Sequence, residues 1–175
     1  MPIKSRIRTI ADFPKPGIQY RDITTLLKDA EGFRLTIDSL AERYRHRPID
    51  IVAGIEARGF ILGAALAYAL GKGFVPIRKK GKLPSEIHGV DYQLEYGVDR
   101  IELHIDAIQP GQRVLVVDDL IATGGTVLGA IELVEKAQAV LEECCFLVDL
   151  PALGGSAKLA EHGFGCHALA VFEGH

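Results

Sequence analysis

Val114-Leu115-Val116-Val117-Asp118-Asp119-Leu120-Ile121-Ala122-Thr123-Gly124-Gly125-Thr126 is the stretch that decides the fold and locates a site. Four apolar residues lead straight into two adjacent carboxylates and then into a turn of small residues. A continuous apolar run of this kind fits a strand buried on both faces, as in a parallel sheet. Open parallel sheets bind ligands at the carboxyl ends of their strands, where the two acids and the turn lie. Beyond the turn, Val127, Ile131, Leu133, Val134 and Ala137 recur at helical spacing, so residues 123–126 are predicted to open a helix. Backbone N–H groups free at a helix start, flanked by the Thr123 and Thr126 hydroxyls, make a seat for phosphate.

Working outward, further short apolar runs at 49–53, 74–77, 144–150 and 167–172 join 113–117 as strands. Helical patterns lie between them at 60–70, 127–139 and 156–162. An earlier helix is predicted over 32–44, with Phe33, Ile37, Leu40, Ala41 and Tyr44 on one face. Strands alternating with helices indicate βαβ units, hence an α/β fold with a central, mostly parallel five-stranded sheet flanked by helices. Ile101, Leu103 and Ile105 alternate with Glu102 and His104, the pattern of a half-exposed strand. Residues 81–97 show little periodicity and much polarity, and a loop of that length in a compact domain is expected to be functional. No repeat or second domain is visible, so 1–175 is expected to be one domain.

Composition narrows the function. A net charge of -3 over 175 residues excludes nucleic-acid binding through bulk positive charge. Three cysteines, two of them adjacent, offer neither a disulfide framework nor a Cys-x-x-Cys pair. Cys144 and Cys145 point to opposite faces of a strand and read as small core residues. The basic, mixed N-terminal residues lack a signal-peptide apolar region, and the longest apolar run is too short to span a bilayer. The expectation is a soluble, cytoplasmic protein with no membrane partner.

The chemistry at the opening stretch is that of a sugar phosphate. A nucleoside-triphosphate P-loop requires G-x-x-x-x-G-K-[ST], and no lysine follows these glycines. The G-x-G-x-x-G dinucleotide fingerprint is also absent from the stretch. Carboxylates accept hydrogen bonds from vicinal ribose hydroxyls, while the turn holds a 5′-phosphate. Ile55-Glu56-Ala57-Arg58-Gly59-Phe60 follows another core strand and can offer N–H groups and a guanidinium to an anion. Arg78, Lys79, Lys80 and Lys82 form the densest basic cluster, after the strand ending at Ile77 and hence at the same rim. In Asp12-Phe13-Pro14-Lys15-Pro16-Gly17-Ile18-Gln19-Tyr20-Arg21-Asp22-Ile23-Thr24, prolines and glycine fix an extended backbone. Such a backbone presents N–H and C=O groups edge-on to a planar ring.

A hydrophobic strand, Asp-Asp, two apolar residues and then an alanine before Thr-Gly-Gly-Thr closely resembles the 5-phosphoribosyl 1-diphosphate (PRPP) motif of the type I phosphoribosyltransferases. The Val75–Pro84 run and Leu94-Glu95-Tyr96-Gly97 resemble most the branch of that family acting on adenine. The resemblance spans nearly the whole chain and implies the type I phosphoribosyltransferase fold, with a small N-terminal hood (about 1–30) and a flexible catalytic loop (about 81–97). It implies an enzyme of purine salvage: adenine and PRPP give AMP and diphosphate, with Mg²⁺ held mainly by PRPP and water. Asp118, Asp119, Ala122, Thr123, Gly124, Gly125 and Thr126 then bind PRPP or AMP, with Arg58, Arg78, Lys79 and Lys82 on the diphosphate. Gln19, Tyr20, Arg21 and Leu120 form the adenine pocket, Tyr20 and Leu120 as opposing walls. Gln19 and Tyr20 depart from the aliphatic residue and phenylalanine usual in the family. Glu95 and Arg58 are the implied catalytic pair, with Glu95 in a lid. The family often has a non-proline cis peptide at the position of Glu56–Ala57, and its members pair as homodimers. Two alternatives stand: a PRPP-sensing regulator without turnover, or an enzyme for another purine such as xanthine or hypoxanthine.

Overall fold

The computed structural model describes residues 2–94 and 96–174. After a 3-10 turn at Lys4–Arg6, strands β1 (Arg8–Ala11) and β2 (Gln19–Asp22) pair antiparallel as a separate hairpin. Asp22 ends β2 and accepts the Thr24 N–H at 2.9 Å, starting the short helix α1 (Thr24–Leu27). Helix α2 (Ala30–Tyr44) follows, capped by the Asp29 carboxylate on the Glu31 N–H. Then come β3 (Ile51–Ile55), α3 (Arg58–Leu70), β4 (Gly73–Lys79), β5 (Ile87–Gln93), β6 (Val98–His104) and β7 (Arg113–Ile121). The chain closes with α4 (Gly125–Lys136), β8 (Val140–Asp149), a 3-10 turn, α5 (Gly155–Glu161) and β9 (Cys166–Val171).

Among the described residues, seven strands form one sheet in the order β5-β6-β4-β3-β7-β8-β9. The five from β4 to β9 are parallel, as the sequence predicts. The antiparallel pair β6 and β5 extends that sheet on the β4 side. Val114, Leu115, Val116 and Val117 are all fully buried, and they divide by parity. Val114 and Val116 pack in the cluster that includes Val127, Ile131 and Val134 of α4. Leu115 and Val117 pack in the cluster with Ile37 and Leu40 of α2 and Leu62 and Leu66 of α3. Cys144 and Cys145 split between the same two clusters, so neither is set up for chemistry.

Two expectations need correction. The strand predicted at 113–117 runs on to Ile121, because Asp118, Leu120 and Ile121 keep pairing with Phe146, Val148 and Asp149 of β8. The two acids are therefore inside a strand and inherit its rigidity. Residues 81–97 are not all loop: β5 occupies seven of them, paired along its length with β6. Only Val90 and Tyr92 of β5 are buried, too short an alternation to read as a strand. In β6, Ile101 and Leu103 face the core as predicted, while Ile105 lies beyond the strand and is exposed.

Candidate active site

The chain leaves β3 toward β4 on one side of the sheet and later lays β7 on the other side. That reversal opens a crevice at the carboxyl ends of β3 and β7, the place where open α/β sheets bind ligands. The β3–α3 loop brings Glu56, Ala57 and Arg58 to it, and the end of β7 brings Asp118 and Asp119. Arg58 Nε lies 2.6 Å from Asp119 Oδ2, bridging the crevice. The Glu56–Ala57 peptide bond is cis.

A cavity of about 210 Å³ opens there, lined by Arg58, residues 118–127 and Phe146. Gly124 turns the chain in the left-handed region, at φ 91°, where a side chain would be strained. Helix α4 starts at the next residue with no side chain capping it, so its first N–H groups point at the cavity as an anion seat. Asp119 is buried, and its charge is answered by Arg58. Asp118 differs: burial and the adjacent Asp119 carboxylate push its pKa well above the usual carboxylate range. Its Oδ1 accepts the Asp119 N–H at 2.8 Å.

The basic rim is organised by a residue to which sequence reasoning gave no role. Glu56 Oε1 accepts Arg78 Nε at 3.1 Å and the Lys79 N–H at 3.0 Å, while Oε2 lies 3.2 Å from Lys82 Nζ. Burial favours the neutral acid, but these three donors outweigh it and hold the Glu56 carboxyl below its ordinary range. Its place at a strand end, two residues before Arg58, was the available signal. Lys79 is a correction. Its ammonium group turns to Asp99 and, at 2.7 Å, to the Tyr92 hydroxyl, not to the rim. Successive side chains on β4 face opposite ways, so Arg78 and Lys79 cannot both serve the crevice.

The N-terminal hairpin supplies a second, adjoining cavity of about 420 Å³. Gly17, Ile18, Gln19 and Arg21 line it with Leu150, Leu153, Gly174 and Thr123. Thr123 belongs to both cavities, so the arm and the phosphate loop meet there. Leu150 and Leu153 escaped the sequence reading, although Leu150 follows the end of β8 at the same sheet edge. The Tyr20 ring is edge-on to Phe13 at 5.1 Å, and its hydroxyl accepts from Arg58 Nη1. Leu120 lines the smaller cavity.

Glu95 lies outside the described residues. The β5 end borders the site: the Gln93 carbonyl lies 3.2 Å from where a Cβ on Gly125 would stand. Lys136 Nζ also reaches the Gly89 carbonyl at 2.8 Å, tying α4 to β5. Among the described residues no three His, Cys, Asp or Glu side chains converge as a metal cage, and no helix is long and apolar enough to cross a membrane.

The phosphoribosyl transferase domain model matches residues 22–158. Adenine phosphoribosyltransferase of Nitrosospira multiformis is 61% identical over 175 residues, covering all of both chains. That of Chlorobium phaeovibrioides is 59% identical over 176 residues, covering 99% of each. Among solved structures, adenine phosphoribosyltransferase from Thermoanaerobacter pseudethanolicus superposes with a TM-score of 0.93 at 49% identity, over 97% of this chain and 98% of the other. The Saccharomyces cerevisiae enzyme, solved with an imino-altritol bisphosphate and adenine, gives 0.85 at 40% identity over 98% and 95%. With a domain match across most of its length and full-length relatives near these identities, the chain belongs to the adenine phosphoribosyltransferases, within the phosphoribosyl transferase domain family.

Proposed function

We propose that this chain joins adenine to the ribose 5-phosphate of PRPP, giving AMP and diphosphate in purine salvage. The observation that carries the reading is the crevice at the β3/β7 reversal. An uncapped helix start and two strand-borne carboxylates face a guanidinium across it. The N–H groups at 123–126 and the Thr123 and Thr126 hydroxyls hold the 5′-phosphate, with Ala122 making room beside them. Asp118 and Asp119 hold the ribose hydroxyls. The ribose C1–oxygen bond breaks with its electron pair leaving on diphosphate, and the sugar becomes oxocarbenium-like. Arg58, Arg78 and Lys82 take up the developing charge. The N9 lone pair of the purine closes the new C1–N bond, and the N9 proton passes to Glu95.

Gln19 and Arg21 face the purine edge, with Tyr20 and Leu120 against its faces. Mg²⁺, when bound, neutralises diphosphate charge. The residues present fit an ion that arrives with PRPP, since Mg²⁺ takes one or two carboxylates plus phosphates and water. The 1–30 hood and 81–97 segment belong to one domain of 1–175, and hairpin closure excludes water that would hydrolyse PRPP. The working unit is a cytoplasmic homodimer. A site built for the 6-amino edge rejects hypoxanthine by about 10⁴-fold in kcat/KM, because its polar groups are left unpaired. Steady-state rates on adenine, hypoxanthine and xanthine test this, and comparable rates would make it a broader purine enzyme.

A further inference from the structure

Arg58 is held from two sides. Its Nε lies 2.6 Å from Asp119 Oδ2, while its Nη1 donates to the Tyr20 hydroxyl and its guanidinium carbon sits 5.9 Å from the Tyr20 ring centroid. These donors lie on one planar fork, so both bonds fix one orientation. Asp119 belongs to β7 and Tyr20 to β2, in a hairpin outside the main sheet. One arginine therefore ties the base arm to the ribose carboxylates. A phenylalanine at position 20 would keep the ring and its contact with Phe13 but lose the tie.

In the proposed reaction, on which this step rests, the ribose hydroxyls claim Asp119 and so compete for one of the two anchors of Arg58. The side chain of Arg58 is about half exposed, 47%, so with neither anchor it has room to swing into solvent. We infer that the Tyr20 hydroxyl is a positioning group. It keeps the Arg58 guanidinium in the crevice, beside the departing diphosphate, once the ribose has taken Asp119. The arm then does two jobs: its ring faces the base, and its hydroxyl readies the leaving-group cation.

The test is a double-mutant cycle with Tyr20→Phe and Arg58→Lys, the latter keeping charge but losing the fork. It is read on kcat, on KM for adenine and on the calorimetric dissociation constant of PRPP. Tyr20→Phe is expected to lower kcat about 10-fold in the wild-type background, with adenine KM within about 2-fold. In the Arg58→Lys background the same substitution should change kcat by less than about 2-fold. A merely structural role for Tyr20 would not make its effect depend on Arg58. Equal effects in both backgrounds, an effect confined to adenine KM, or an unchanged kcat would each overturn the inference. If the wild-type protein binds PRPP but forms no AMP, the proposed reaction fails first and takes this inference with it.

Discussion

Asp118 and Asp119 are consecutive residues of one strand with opposite electrostatic surroundings. Asp119 faces a guanidinium, whereas Asp118 is partly buried beside a like charge that drives it toward its neutral form. The two isosteric variants should therefore differ. Asp119→Asn removes a charged acceptor and is expected to raise the PRPP dissociation constant about 10- to 100-fold, the worth of one charge-assisted hydrogen bond. Asp118→Asn should cost less, because the native group already leans toward the uncharged state. Calorimetric titration of both checks the ranking, and equal, small changes would remove these acids from the ribose site. Such residues were legible because type, order and strand context all pointed one way. Lys79 was not: its partners Asp99 and Tyr92 come from a hairpin whose first strand read as loop. Tyr20 was legible as a ring but not as a hydroxyl accepting from an arginine 38 positions away.

Between elements, the site depends on how closely α3 approaches β7. A Cβ on Gly59 would stand 2.9 Å from both Asp118 Oδ1 and the Val117 carbonyl oxygen. Neither strand backbone nor a carboxylate fixed on that strand yields cheaply, so Gly59→Ala should force α3 outward. The expected cost is about 1–3 kcal/mol, as for overpacking elsewhere in protein cores, together with weaker PRPP binding. Denaturant midpoints and PRPP titration on the same variant check both, and unchanged stability would contradict the packing. Parallel strands and their helices were readable because each carries a long apolar run or a helical stripe. The β5 strand was missed because edge position leaves it just two buried side chains. The extension of β7 through its acids escaped notice because carboxylates signal a strand end, and only the pairing with β8 keeps them in the ladder.

Across the whole molecule, the sheet end opposite the crevice is held by charge. Glu143 accepts Arg43 Nε at 2.9 Å, the Tyr44 hydroxyl at 2.7 Å and Arg47 Nη1 at 3.0 Å, joining the end of α2 to β8. Glu142 beside it binds Arg47 and Arg113. Arg43 and Tyr44 stand about a hundred positions from Glu143, so periodicity gives no hint of them. Burial alone would raise the Glu143 pKa, but the two arginines and Tyr44 bring it down to about 2 from an ordinary 4.5. A depressed folded value means stabilisation fully present above pH 4.5 and lost as pH falls toward 2. The linked contribution is roughly 3 kcal/mol. Glu143→Gln should lose about that much at neutral pH and flatten the acid limb of a stability-versus-pH curve, and an unaltered limb would place the acid sensitivity elsewhere. This network sustains the fold without touching the reaction. The reaction itself is tested by supplying the purified protein with PRPP, Mg²⁺ and adenine and quantifying both products. AMP and diphosphate should accumulate in equal amounts, while calorimetric PRPP binding without AMP would mark a sensor and contradict the account.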